Sequence, residues 1–140
     1  ALYSVPISAG VMTGTVNGPL DLSTTTTAQE CSPLSEVYNP SEGADWLFVG
    51  VPANCAFGGA TGGCIMSFDI TSGTIPTTAA ATAAENGGTS GIVVDNVSPS
   101  AQASSAYFTT LASPGAGGCT QEPSGDSTTC LVKRTQQGLQ

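Results

Sequence analysis

Bulky apolar residues occupy both parities from Trp46 to Val51, so this run predicts a strand covered on both faces and central in its sheet. From Ile65 to Ile70 the pattern alternates, with Met66, Phe68 and Ile70 on one face and Ser67 and Asp69 on the other, predicting a strand with one wet face. The two read as a hairpin. Asn54 to Cys64, which joins them, is too long and too glycine-rich for a tight turn, and a Cys55–Cys64 bond would close its base. That cross-link restricts the open loop by an entropy worth about 2–3 kcal/mol.

The pattern recurs. Ala1 to Gly10, ALYSVPISAG, aligns without gaps on Cys64 to Gly73, CIMSFDITSG, with Ser4, Ile7 and Gly10 identical to Ser67, Ile70 and Gly73. Tyr3, Val5 and Ile7 keep the apolar parity, which predicts equivalent strands in equivalent environments. A weaker copy starts at Cys130, CLVKRTQQG, and Ser32 to Asn39 resembles Ser90 to Asn96, each followed by an aromatic strand, Trp46 to Val51 or Ala106 to Leu111. The return segments Leu20 to Ala28 and Pro76 to Ala84 predict outer strands or loops, and Thr78 to Glu85 also fits one short helix. The expected organisation is a single all-β domain over residues 1–140, with repeat units near 29–88 and 89–140 and residues 1–28 as the tail of a preceding repeat.

SGIVVDN (Ser90 to Asn96), WLFVGV (Trp46 to Val51) and MSFDITSG (Met66 to Gly73) together resemble the blade repeats of secreted bacterial β-propellers. The resemblance implies blade-like antiparallel sheets, as in a propeller or a sandwich, and a ligand site in a central channel near Leu34 and Ile92. A propeller typically has 4–8 blades. This chain supplies two and part of a third.

Composition narrows the function classes. Charged residues make up 9% of the 140-residue chain, far below the roughly one quarter usual in soluble domains, while Ser and Thr supply about a quarter. Ten carboxylates against Lys133 and Arg134 give a net charge of −8, which leaves no basic face for nucleic acid. Five cysteines in this setting suggest an oxidising, extracellular or cell-surface location. Cys55–Cys64 and Cys119–Cys130 each close a short Gly-rich loop, leaving Cys31 to be buried, bonded to another chain, or bonded to a partner outside this sequence. There is no membrane-spanning stretch and no signal-peptide pattern, and the start at Ala1 suggests a mature or trimmed product.

Without histidine, the Ser-His-Asp and Cys-His arrangements are excluded, and no cysteine spacing fits zinc. Catalytic, metal and cofactor sites are therefore expected to be absent. Asp69 and Asp95 read as turn acceptors, and a two-carboxylate hydrolase would need a pair held about 5–10 Å apart. Gly88-Thr89-Ser90-Gly91 falls short of a nucleophile elbow and reads as the entry turn to a strand. Asn96-Val97-Ser98 has the form of a glycosylation sequon, and Thr24 to Thr27 is a candidate for O-glycans. Lys133-Arg134 reads as a solvated strand end.

Three functional expectations follow. The first is a non-enzymatic extracellular structural protein that polymerises with copies of itself by strand addition, Ala1 to Ser8 being the assembly strand through Tyr3, Val5 and Ile7. On this reading the sheet partners of Ala1 to Ser8 come from outside the chain. The second is the C-terminal fragment of a secreted propeller that is a binding protein or an enzyme. The third is a sandwich binding glycans through Trp46, Tyr38 or Tyr107.

Overall fold

The computed structural model describes residues 1–58, 62–95, 104–111 and 130–136. The strands are β1 (Leu2–Ser4), β2 (Ile7–Ser8), β3 (Val11–Met12), β4 (Asn17–Leu20), β5 (Ser35–Asn39), β6 (Ala44–Ala53), β7 (Gly62–Asp69), β8 (Ala81–Ala84), β9 (Val93–Asp95), β10 (Ser105–Thr109) and β11 (Leu131–Thr135). No helix occurs among the described residues, and all strand pairs are antiparallel. The protein is all-β, and Thr78 to Glu85 forms no helix: its end becomes edge strand β8.

The central sheet has the order β5-β6-β7-β8. Asn39 turns the chain out of β5, its side-chain oxygen accepting from the Ser41 N–H at 3.0 Å, and Gly43 supplies the positive φ of 62° that leads into β6. The β6–β7 register runs from Trp46 opposite Asp69 to Val51 opposite Cys64. The rear face of this sheet carries Val49, Val51, Met66 and Phe68 into a core shared with Leu2, Leu22 and the Cys55–Cys64 disulfide. Its front face carries Phe48 and Ile65 into a second core with Ile92, Ala106 and Phe108. Each large side chain so buried contributes about 1.5–3 kcal/mol.

The second sheet, β11-β10-β9, covers that front face. Strand β7 therefore lacks the wet face its alternation predicts. Ser67 is 3% exposed, because a second layer lies over it, and only Asp69 at the strand end reaches solvent.

Corresponding serines anchor the two sheets in the same way. Ser32 donates its N–H to the Gly50 carbonyl at 2.9 Å and accepts the Gly50 N–H on Oγ at 2.7 Å. Ser90 donates to the Thr109 carbonyl at 2.9 Å and accepts the Thr109 N–H at 3.0 Å. Each hydroxyl also donates to the next carbonyl, that of Pro33 or Gly91. Gly50 thus corresponds to Thr109, and the pairings of Phe48 with Ser67 and of Tyr107 with Lys133 carry the correspondence into the third strands, Ile65 matching Leu131.

The N-terminal segment departs from expectation in three ways. β1 and β2 are separate strands, with Pro6 between them. β1 pairs with β4 of its own chain, so one of its two edges is satisfied internally. Leu2 enters the rear core, whereas Tyr3, Val5 and Ile7 are exposed. Their counterparts Met66 and Phe68 are buried because β1 and β4 lie behind the central sheet, whereas among the described residues nothing lies behind β1 and β4. Gly10 and Gly73 keep similar positive φ values of 77° and 73°. In the first copy, however, Ala9 also has φ 51°, and the two residues turn the tight β2–β3 hairpin.

Candidate functional site

The cysteines sort cleanly. The predicted Cys55–Cys64 bond is present, with 5.9 Å between the Cα atoms, at the base of the β6–β7 loop. Residues of the Leu20 to Ala28 return segment lean on that loop: the Thr24 N–H donates to the Asn54 carbonyl at 2.7 Å and the Ala56 N–H to that of Leu22 at 3.0 Å. Cys130 is disulfide-bonded, while its expected partner Cys119 and the sequon residue Asn96 lie outside the described residues. Cys31 is an exposed free thiol, not a buried one.

Asp69 is an acceptor in a local turn. Asp69 accepts hydrogen bonds from the Thr71 hydroxyl and from the Thr71 N–H, the latter at 3.0 Å, and these hold its pKa below the ordinary 3.8. The same Thr71 hydroxyl accepts the Asp45 N–H at 2.9 Å, linking the start of β6 to the turn after β7. Among the described residues, no three His, Cys, Asp or Glu side chains converge as a metal site would require. No helix there is long and apolar enough to cross a membrane.

The aromatics proposed for glycan contact do not converge. Tyr38 pairs with Asp45 and projects to the rear of the central sheet, Trp46 lies one position on and faces front, and Tyr107 is on the outer face of the second sheet. Leu34 is exposed and Ile92 buried, so the proposed channel residues are also in unlike environments.

Two features were not anticipated. The first is a cleft of about 520 Å³ between the sheets, lined by Trp46, Ser67, Ala81, Ala106, Arg134 and Gln136 among others. Buried Glu85 holds Arg134 of this lining, accepting the Arg134 Nε–H at 2.6 Å and a second bond from the guanidinium. Lys133-Arg134 is therefore split: Arg134 ties the second sheet to the end of β8, while the Lys133 ammonium lies 5.8 Å from the Tyr107 ring centre on the opposite face. Strand alternation could have separated these two cations, but nothing local pairs Arg134 with Glu85.

The second feature is a pair of exposed apolar faces at the two ends of the layer stack. One is behind β1, with Tyr3 and Val5. The other is the outer face of the second sheet, where Leu131 is 74% exposed although its counterpart Ile65 is 6% exposed. The signal for the second face was already in the alignment of Cys130 on Cys64. Comparisons with protein families, with characterised proteins and with solved structures give no match to this chain.

Proposed function

We propose that the chain is a non-enzymatic extracellular structural protein, the subunit of a filament or surface assembly formed by β-strand addition between copies of itself. The observation that carries this reading is the N-terminal unit. One edge of β1 is taken by β4, no strand occupies the other among the described residues, and Tyr3, Val5 and Ile7 stand exposed beside it. An unpaired edge flanked by apolar side chains is a template for a further strand. A disulfide and very low charge favour an oxidising setting.

The test is sedimentation velocity of the intact chain over a concentration series, with electron microscopy of the concentrated sample. Open linear particles that lengthen with concentration are expected. A monomer at every concentration overturns the reading in favour of the propeller-derived binding protein or enzyme. One observation favours that second reading, namely the inter-sheet cleft with Trp46 and Arg134 in its walls.

A further inference from the structure

We infer that the outer face of the second sheet, built on Val93, Tyr107, Leu131 and Lys133, is the docking surface for the N-terminal unit of a second copy of this chain. The inference rests on the assembly reading above and names its surface. The argument starts from an interface that already exists inside the molecule. The β1–β4 unit packs its forward face on the rear of the central sheet through Leu2, and the central sheet packs its forward face on the rear of the second sheet through Phe48 and Ile65. Each layer meets the next in the same sense. The second sheet presents the forward face once more, with Tyr107 in the place of Phe48 and Leu131 in the place of Ile65, and Val93 beside them is 68% exposed. What fits a forward face in this molecule is the rear of another layer. Among the described residues, the rear face that stands uncovered is that of the N-terminal unit, where Tyr3 and Val5 correspond to the buried Met66 and Phe68.

Charge selects the same occupant. Both basic side chains of the chain are on β11, and Lys133 projects from the outer face, whereas residues 1–30 carry the carboxylates Asp21 and Glu30 and no basic side chain. A second N-terminal unit on this face therefore brings acidic groups toward the exposed ammonium. The contact is heterologous and leaves one face of each kind free after every addition, so growth stays open. The outer edge of β1 remains available for strand addition.

The test uses two variants of the full chain, Tyr3→Asp on the N-terminal face and Leu131→Asp on the outer face, compared with wild type by sedimentation velocity. Each variant alone is expected to need at least about tenfold higher concentration to assemble, as loss of a central apolar anchor does. Their mixture is expected to recover 1:1 pairing that neither variant shows alone, because each supplies the face the other lacks. Both side chains are exposed in the monomer, and a melting curve checks the fold. If Leu131→Asp melts early, Lys133→Glu on the same outer face replaces it, and if Tyr3→Asp does, Val5→Asp on the N-terminal face replaces it; each is expected to weaken assembly. Variants that assemble like a polymerising wild type overturn the surface and leave the assembly reading standing, as does a mixture that gains nothing over its components. A wild type that stays monomeric overturns both.

Discussion

At the scale of single residues, polar side chains hold the ends of strands. Thr71 is the clearest case, since its hydroxyl accepts from the Asp45 N–H while its own N–H and O–H serve Asp69. The Asp69 pKa is depressed in the folded state below 3.8, chiefly by the Thr71 hydroxyl and then by the Thr71 amide. Its contribution to stability is thus complete above 3.8 and is lost as pH falls through the lower folded value. Asp69→Asn should melt below wild type at neutral pH, and the two melting temperatures should converge as the pH drops through that window. A constant gap at all pH values would show that the carboxylate charge plays no part in the turn.

At the scale of elements, the long strands were legible and their surroundings were not. The run Trp46 to Val51 marked β6 as central because apolar residues on both parities need cover on both faces, and the structure provides it. Ser67 misled because whether a small polar side chain is wet depends on a second sheet whose strands lie far along the sequence. Tyr3, Val5 and Ile7 misled for the converse reason, a buried pattern with nothing behind it among the described residues. Sequence alignment also could not fix the relation between β6 and β10, which the paired serines set by matching Gly50 to Thr109. Glycine at the start of β7 is a further requirement of the element. A Cβ on Gly63 would stand 2.6 Å from the carbonyl oxygens of Pro52 and Val51 and closer still to that of Glu85. All three are backbone atoms in or beside paired strands, so Gly63→Ala forces the β6–β7–β8 ladder apart. The expected loss is at least about 1–3 kcal/mol, the usual cost of overpacking, measurable by urea unfolding. A variant as stable as wild type would mean that the strands separate here without cost.

For the whole molecule, the consequence of the layer order is a sharp difference between neighbouring residues of β1. Leu2 is 7% exposed and completes the rear core with Val49, Val51, Met66 and Phe68, whereas Tyr3 is 56% exposed and is no part of that core. Leu2→Ala should therefore lower the stability of the isolated subunit by about 2–5 kcal/mol, the range for a buried leucine that leaves a cavity. Tyr3→Ala should leave that stability within about 0.5 kcal/mol, as surface substitutions do, yet shift assembly to higher concentration. Deleting residues 1–8 combines both effects, giving a destabilised subunit that does not polymerise. Chemical denaturation at a concentration below assembly reads the first quantity, and sedimentation at higher concentration reads the second. A strand that merely swapped into a neighbour would couple the two, because Leu2 and Tyr3 would then leave and return together. Equal effects of Leu2→Ala and Tyr3→Ala on subunit stability would thus contradict the layered arrangement, and fibres formed by the truncated chain would contradict assembly through the N-terminal unit.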